Sequence, residues 1–126
     1  MHPAYRDALF ENRSIVHLPA EHLSDGGGIV AEIDGKVVGF AIMLPVVGGE
    51  SELDGLFVEP EMAGHGVGRA LVEEARRRAG RSGAVLLKVV AALEAEGFYH
   101  RCGFELLGET ETLLGKALVM ELRLRG

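Results

Sequence analysis

The chain lacks several features that would place it in other protein classes. Its 126 residues include one cysteine, four prolines and no tryptophan. Because the single Cys102 cannot form a disulfide within the chain, we expect a reducing, cytoplasmic location. No apolar run approaches the ~20 residues of a membrane-spanning helix, and residues 1–13 are too polar for a signal peptide or an anchor. A membrane partner is therefore not expected.

Positive charge is scarce as well. The chain has 13 lysines and arginines against 19 acidic residues, a formal net charge of −6. Nucleic acids are bound by basic surfaces, so this balance argues against a nucleic-acid partner. Apolar residues make up 48% of the chain and charged residues 25%, which is typical of a folded domain. A chain of this length has room for one core, and a single domain is predicted over residues 1–126.

Glycine is abundant, with 18 residues, and its most informative positions follow a strand pattern at 51–58. Gly64, Gly66 and Gly68 alternate in the sequence and leave little side-chain bulk on a loop that precedes a helix. Several main-chain N–H groups can then point into one concavity at the positive end of that helix, where phosphate binds. A nucleotide-type cofactor is therefore predicted. The spacing is not the G-x-G-x-x-G of dinucleotide-binding proteins.

The residues before this loop predict an antiparallel meander. Apolar residues alternate from 29 to 33, and the pair Asp34-Gly35 then separates two β-rich runs. Such a pair between two strand patterns is the strongest short signal of a hairpin. The second run, 37–44, is apolar throughout, so we expect it to be covered on both faces.

The strand that leads into the loop contains an irregularity. Leu53 lies on one face of the predicted strand, whereas Leu56 and Val58 lie on the other, with Asp54-Gly55 between them. A two-residue period that changes phase at a glycine predicts a β-bulge. A bulge leaves main-chain N–H groups without a neighbour, which is costly unless a ligand or water accepts from them. This strand is thus a second feature that faces a ligand.

Helix and strand alternate after the loop. A helix is predicted to begin at Val67 and to stop at Gly80, because apolar residues recur there at helical spacing. The strand at 84–90 should run parallel to the one before the loop, since a helix links them. The remaining predicted elements are short helices at 4–12 and 19–23, a helix at 93–101, and an antiparallel pair of strands at 104–107 and 117–124. The fold class is α+β.

With this order of elements, the chain resembles the GNAT family, the Gcn5-related N-acetyltransferases. The run ELDGLFVEP followed by AGHGVGRALV is similar to the fourth strand and the acetyl-CoA pyrophosphate loop of that family. The run EGFYHRCGFELLG is similar to its Phe-Tyr…Gly-Phe signature, with Phe98, Tyr99, Gly103 and Phe104 in register. The resemblance covers roughly residues 27–124 and implies a GNAT fold. That fold has a central, mixed but mostly antiparallel sheet with a bulged, splayed fourth strand, flanked by helices.

The chain departs from the family pattern at three places. Ala63 stands where the family usually has Gln or Arg, and Ala92-Leu93 stands where many members carry Asn-Pro. Both changes bear on the affinity for the cofactor. The usual first strand is expected to be missing, either because the sheet edge is naturally shortened or because the reading frame starts late.

The resemblance implies acetyl-CoA as co-substrate, no metal, and direct attack by a primary amine of a small molecule or peptide. Glu52 is the first candidate for the general base and Asp54 the second, acting directly or through water; the alternative is that both only face solvent. Tyr99 is the candidate donor to the leaving thiolate, and its alternative role is core packing. Residues expected to bind the cofactor are Leu56, Phe57, Val58, Gly64, His65, Gly66, Val67, Gly68, Arg69 and Tyr99.

Three further features have alternative interpretations. His65 either contacts phosphate or is a solvent-exposed loop histidine. The run Arg76-Arg77-Arg78 is expected to be a solvated helix face, with one arginine reaching the 3′-phosphate of CoA as the alternative. Cys102 is interpreted as a buried, inert thiol because no base stands at motif spacing from it.

A second function is also compatible with the sequence, namely a non-catalytic CoA-binding domain with a regulatory or interaction role. Ala63 and Ala92 favour it, whereas Tyr99 and the glycine loop favour the enzyme. In this family the N-terminal helices and the loop at 109–116 determine which amine is the acceptor. The residues of these segments do not identify the acceptor of this chain. An unpaired edge at a missing first strand would favour a homodimer.

Overall fold

The structure is a computed structural model that describes residues 27–124 and, for residues 15–17, the backbone. The short helices predicted at 4–12 and 19–23 lie outside the described residues. The strands and helices, in chain order, are β1 (Ile15–His17), β2 (Gly27–Ile33), β3 (Lys36–Met43), β4 (Glu50–Val58), α1 (Val67–Arg81), β5 (Leu86–Ala91), α2 (Glu96–Arg101), β6 (Glu105–Thr112) and β7 (Gly115–Arg123). Single 3-10 turns lie at Pro60–Met62 and Leu93–Ala95. The α+β class is confirmed.

The strands form one seven-stranded sheet in the order β1-β2-β3-β4-β5-β7-β6. Neighbouring strands are antiparallel except for β4 and β5, which are parallel because α1 crosses between them. The prediction of a missing first strand is wrong, since β1 pairs with β2 and places Ile15 opposite Ala31. A strand of three residues is too short to display a two-residue period, so the sequence pattern did not reveal it.

The predicted hairpin joins β2 to β3. Asp34 and Gly35 have φ of 55° and 78°, the positive values that a two-residue type I′ turn requires at both central positions. The side chains of Ile29, Ala31 and Ile33 are at most 4% exposed. Turn chemistry and alternation therefore identified this hairpin correctly.

The interpretation of residues 37–44 as a strand covered on both faces is wrong. Ala41 and Met43 are buried, but Phe40 and Ile42 on the other face are 40% and 38% exposed. The buried face continues across the sheet through strand neighbours, and its core cluster includes residues of both helices. In the part of the chain that the structure describes, no helix covers the opposite face, so apolar side chains of β3 stay accessible there.

Helix α1 packs its apolar stripe on the buried face, and it runs to Arg81, one residue beyond the predicted stop. Its arginine run is only partly solvated. Arg76 and Arg77 are exposed, whereas Arg78 is buried. The Nε atom of Arg78 lies 3.1 Å from Oε2 of Glu74, and its Nη1 donates to the carbonyl oxygen of Gly28 at 3.1 Å. This pair attaches α1 to β2, and burial lowers the pKa of Arg78.

The irregularity in β4 is a bulge that opens the sheet. Met43 lies opposite Leu53, but Ile42 lies opposite Gly55, so Asp54 is the extra residue. The parallel pairing with β5 ends where Leu53 lies opposite Val89, although β4 continues to residue 58. Beyond Leu53 the two parallel strands therefore splay apart. The predicted bulge and splayed fourth strand are both confirmed.

The described residues contain no group of three or more His, Cys, Asp or Glu side chains that could hold a metal ion. Among the same residues, no helix is both long and apolar enough to cross a membrane.

Candidate cofactor-binding and active site

A pocket of about 830 Å³ lies between the end of β4, the glycine loop and α2. Seven of the residues predicted to bind the cofactor line it, from β4, the loop and the first turn of α1. Five lining residues were not predicted. The predicted ones are Leu56, Val58, Gly64, Gly66, Val67, Gly68 and Arg69, and the additional ones are Met62, Ala63, Phe98, Arg101 and Cys102.

The floor of this pocket carries free main-chain donors. The first helical hydrogen bond of α1 runs from the N–H of Ala70 to the carbonyl of Gly66 at 3.0 Å. Five preceding N–H groups donate to no main-chain carbonyl in the described chain, namely those of Gly64, Gly66, Val67, Gly68 and Arg69. Gly66 also has no side chain that could cap the helix. The positive end of a 15-residue helix is therefore open to an anion.

The backbone of the loop depends on glycine. Gly64 and Gly66 have φ of 82° and 87°, a left-handed conformation that costs other residues roughly 1–2 kcal/mol. Gly68 is needed for another reason, because a Cβ there would lie 3.1 Å from two ring atoms of Phe98. The ring of Phe98 thus packs directly over the first turn of α1 and forms the facing wall of the pocket.

Tyr99 lies beneath this wall and not on it. Its side chain is 6% exposed and packs edge-to-face against Phe98 and Phe104, with ring centroids 5.0 and 5.3 Å away. Burial, with a smaller contribution from Cys102, raises the pKa of Tyr99 to about 12. The phenol is therefore neutral, and its O–H is available as a donor. Within the described structure this hydroxyl forms no hydrogen bond.

The two candidate bases lie on the other face of the sheet. Glu52 alternates with the buried Ser51 and Leu53, so its side chain points away from the helices. Asp54 is the exposed bulge residue. The side-chain amine of Lys88, opposite Glu52 in the sheet, is 3.2 Å from Glu50 and neutralises that neighbour instead. Neither carboxylate lines the pocket.

Two other predicted cofactor residues also lie off the pocket wall. The ring of Phe57 stacks on Phe40 on the opposite sheet face, with centroids 5.5 Å apart. His65 is 7% exposed, and its Nδ1 lies 3.1 Å from the carbonyl oxygen of Ala63. The alternative of a solvent-exposed loop histidine is wrong, because the loop folds this ring inward.

Cys102 is buried, as predicted, but it also lines the pocket. Burial raises the pKa of its thiol, and Glu73 adds to this effect, whereas the guanidinium groups of Arg69 and Arg101 lower it. The direction of the total shift is upward, so the thiol stays protonated and unreactive. Cys102 lines the pocket because α2 lies against the start of α1. Residue spacing in the sequence did not predict this position.

The fold and site together define a class of protein. A helix that begins on a glycine loop, directly after a bulged strand splayed from its parallel neighbour, is the arrangement that the sequence resemblance implied for an acetyltransferase of the GNAT type. A family model described as the acetyltransferase (GNAT) domain matches residues 24–106. The chain belongs to the GNAT family.

Relatives of known name support this assignment. An uncharacterized N-acetyltransferase of Methanocaldococcus jannaschii is 32% identical over 90 residues, which cover 64% of this chain and 40% of the relative. The chain thus spans less than half the length of that curated relative. The crystal structure of a nourseothricin acetyltransferase superposes with a TM-score of 0.74 at 30% identity, covering 86% of this chain and 69% of the other.

More distant structures share the fold alone. A GNAT acetyltransferase from Elizabethkingia anophelis, solved with acetyl-CoA bound, has a TM-score of 0.72 at 14% identity, covering 82% of this chain and 80% of the other. The overall fold is therefore shared with a protein whose sequence has diverged widely.

Proposed function

We propose that this chain is an acetyl-CoA-dependent N-acetyltransferase that acts on a primary amine. The observation that carries the proposal is the set of five N–H groups, those of Gly64, Gly66, Val67, Gly68 and Arg69, that donate to no main-chain carbonyl in the described chain and lie beside the splayed end of β4. An anion site alone would fit many ligands. A phosphate-binding helix end next to an open strand edge fits a ligand with both phosphates and an extended amide-containing arm.

Binding follows from these two features. The loop N–H groups hold the diphosphate of acetyl-CoA at the positive end of α1. The main chain at 55–58, which has no β5 partner, pairs with the pantetheine arm as an added strand would. Leu56 and Val58 supply apolar contacts from the pocket side. The acetyl group is thereby directed through the splay towards the opposite sheet face.

On that face, Glu52 accepts the proton of the attacking amine, directly or through water, and Asp54 is the alternative base. An amine has a pKa of roughly 10, so it must lose a proton to become a nucleophile. As the N–C bond forms, a main-chain N–H at 56–58 stabilises the negative charge on the thioester oxygen. Such a donor contributes ~3 kcal/mol to lowering a barrier.

The C–S bond then breaks and leaves a thiolate. A phenol whose pKa is about 12 holds its proton more tightly than a thiol whose pKa is roughly 8.5. Tyr99 therefore stabilises the sulfur by donating a hydrogen bond, and solvent supplies the final proton. This role needs a small rearrangement of the wall formed by Phe98, because the Tyr99 side chain lies just behind it.

The acceptor is proposed to be a small-molecule or peptide amine. The relative that acetylates nourseothricin, at 30% identity, supports the small-molecule choice. A cytoplasmic location stays a prediction that rests on the single cysteine. The proposed homodimer loses part of its basis, because β1 pairs with the edge of β2 that was expected to be free.

A non-catalytic CoA-binding domain is the second candidate. Ala63 lines the pocket but offers no side-chain donor, and the hydroxyl of Tyr99 is not on the pocket wall. Both functions require acetyl-CoA to bind, but only the enzyme releases free CoA.

The deciding experiment measures thiol release from acetyl-CoA in the presence of polyamines, amino acids, aminoglycosides, nourseothricin and peptide amines. We expect turnover with at least one amine and none without an amine. Tight binding of acetyl-CoA with no turnover on any amine would favour the non-catalytic domain. Absence of binding at millimolar ligand would refute both.

A further inference from the structure

The sheet face away from α1 and α2, here termed the open face, carries a pair of exposed aromatic rings. Phe40 of β3 lies opposite Phe57 of β4, and the two rings stack with their centroids 5.5 Å apart. Phe40 is 40% exposed and Phe57 is 44% exposed. Because burial of such rings is favourable, two of them left accessible side by side form a candidate contact surface for a ligand.

Beside these rings, the open face has a gap in its side chains. Gly55 is the next residue of β4 on this face, and its partner in the sheet is Ile42 of β3, which is 38% exposed. A Cβ added at Gly55 would meet only atoms of Ile42 within 4 Å, at 3.7 and 3.9 Å. The missing side chain therefore leaves a notch, which has the ring of Phe57 as a wall and Ile42 as its floor.

The strand across the splay adds a further apolar side chain. Pairing of β5 with β4 ends at Val89, which lies opposite Leu53. Val90 follows on the splayed part of β5, and it alternates with the buried Val89 and Ala91. Its side chain therefore points to the open face, where it is 44% exposed. Hydrocarbon from β3, β4 and β5 thus borders the notch.

Two carboxylates lie at the other end of this surface. The N–H of Leu44 donates to the carbonyl of Glu52 at 2.9 Å, which places Glu52 roughly 13 Å along the strands from the aromatic pair. Asp54 lies between them, at the bulge. Within the described residues, neither Glu52 nor Asp54 forms an ion pair or a side-chain hydrogen bond. Glu50, by contrast, already pairs with Lys88 at 3.2 Å.

We propose that the notch and the aromatic pair bind the body of the acceptor, and that the acceptor is a primary amine on an apolar, aromatic body. This inference rests on the proposed function, in which the amine meets the thioester on the open face. The ammonium group of the arriving acceptor complements the unpaired carboxylates of Glu52 and Asp54. Its ring packs in the notch against Phe57. The span between these groups suits a ring that carries a short aminoalkyl chain.

A polycationic amine suits this surface less well. The part of the acceptor remote from the reacting amine meets side chains without charge or hydrogen-bonding groups, those of Phe40, Ile42, Phe57 and Val90. A second ammonium group placed there would lose water without gaining a counter-charge, which is unfavourable. Attraction between a cation and an exposed ring offsets only part of this cost. The open face therefore favours an apolar monoamine over a diamine or an aminoglycoside.

Steady-state kinetics with phenethylamine, hexylamine and 1,5-diaminopentane test this assignment. The last two are matched in size, since the diamine has an ammonium group where hexylamine has its terminal methyl group. We expect kcat/KM to be highest with phenethylamine, and about tenfold higher with hexylamine than with the diamine. Equal or faster turnover of the diamine would overturn the apolar acceptor site and leave the proposed function intact.

Variants of the notch give a readout that a purely structural role would not change. Phe57→Ala should lower the ratio of kcat/KM for phenethylamine to that for the diamine about tenfold. Gly55→Val should lower the same ratio by filling the notch, and the contacts of a Cβ with Ile42 are of ordinary length there. Leu107→Ala is the control, because Leu107 is 52% exposed on β6, two strands away from β4. This variant should keep the wild-type ratio.

An unchanged ratio in both Phe57→Ala and Gly55→Val would overturn the notch as the acceptor site. The same conclusion would follow if analytical ultracentrifugation showed a wild-type dimer that Phe57→Ala converts to a monomer, because a second copy would then occupy the open face. Binding of acetyl-CoA without turnover on any amine would overturn the proposed function and the acceptor class together. Circular dichroism and thermal melts of each variant establish that the fold is retained.

Discussion

At the scale of single residues, the candidate side chains of the site lie in different surroundings. Tyr99 is enclosed by aromatic rings on α2 and before β6, so its charged form is disfavoured. The carboxylates of Glu52 and Asp54 lie at the accessible face of the splayed strand. Tyr99 and the two carboxylates thus lie on opposite sides of the sheet, which fits the proposed reaction, in which the amine approaches from one face and the cofactor from the other.

The pKa of Tyr99 is raised to about 12, which predicts that its phenol ionises at higher pH than an ordinary tyrosine. It also predicts that the folded chain loses stability as the pH rises. Below pH ~10, the ordinary tyrosine pKa, both the folded and the unfolded chain keep the phenol neutral. As pH rises from 10 towards 12, the unfolded chain ionises first, so the free energy of unfolding falls. Absorbance at 295 nm should show one of the two tyrosines titrating near 12.

Tyr99→Phe should remove this late step and the accompanying loss of stability. Tyr5→Phe is the matched control and should leave the late step in place. Titration of both tyrosines together near pH 10 would contradict the burial argument.

The choice between the two candidate bases is tested by isosteric variants. Glu52→Gln should lower kcat by at least about a hundredfold, the usual contribution of a positioned base, with the KM for acetyl-CoA unchanged. Asp54→Asn should alter kcat by less, because this residue is the exposed bulge position. Steady-state kinetics over pH 6–10 provide the measurement. A large effect in Asp54→Asn alone would assign the base to Asp54, and no effect in either would assign it to water.

At the scale of elements, the loop and the helix that follows it are joined by a left-handed glycine. Gly66 caps α1 with φ of 87°, so Gly66→Ala should lower the free energy of unfolding by ~1–2 kcal/mol and weaken acetyl-CoA binding. Gly80 in the same helix has no positive φ, and a Cβ added there would meet no atom within 4 Å. Gly80→Ala should therefore stabilise the protein by up to ~1 kcal/mol.

Urea unfolding of the two alanine variants, with calorimetry for acetyl-CoA, measures both effects. Equal behaviour of Gly66→Ala and Gly80→Ala would show that the loop conformation is not what the helix start and the anion site depend on.

Helix α1 is also attached to the sheet by a buried ion pair. Glu74 and Arg78 have side chains 6% and 9% exposed, and Arg78 continues to the carbonyl of Gly28. Glu74→Gln leaves the buried guanidinium without its counter-charge, which costs ~3–5 kcal/mol. Arg76→Gln is the control, because the side chains of Arg76 and its partner Glu73 are 49% and 43% exposed and exposed pairs contribute ~0–1 kcal/mol. A similar midpoint of urea unfolding in both variants would mean that the burial of this pair has little energetic weight.

At the scale of the whole molecule, one face of the sheet carries both helices and the candidate cofactor pocket, while the other presents exposed apolar side chains such as Phe40 and Phe57 and also carries the candidate bases. In the proposed reaction, the cofactor and the amine would therefore lie on opposite sides of a single sheet.

A ligand that binds only the folded chain must raise its stability. Acetyl-CoA at about 100 times its Kd should add ~2.7 kcal/mol to the free energy of unfolding, seen as an increase in Tm that grows with ligand concentration. Pantetheine at the same concentration is the control and should give a smaller increase, since it lacks the phosphates that the loop holds. An unchanged Tm at millimolar acetyl-CoA would contradict the assigned pocket.

Much of this fold follows from local chemistry in the sequence. The pair Asp34-Gly35 predicted a tight turn, and the change of phase at Asp54 predicted a bulge. The alternating glycines predicted a loop with main-chain N–H groups available to a ligand. Each of these signals comes from backbone conformations that few residue types can adopt, and such constraints act within a few residues of the chain. These local features can therefore be predicted from the sequence alone.

Tertiary structure alone decided which side chains meet. The exposed face of β3 and the burial of Arg78 against Gly28 both depend on elements far apart in the sequence. The three-residue β1 exists only because β2 offers it an edge. Packing depends on how whole helices and strands are placed relative to one another. Residue spacing along one segment does not determine that placement.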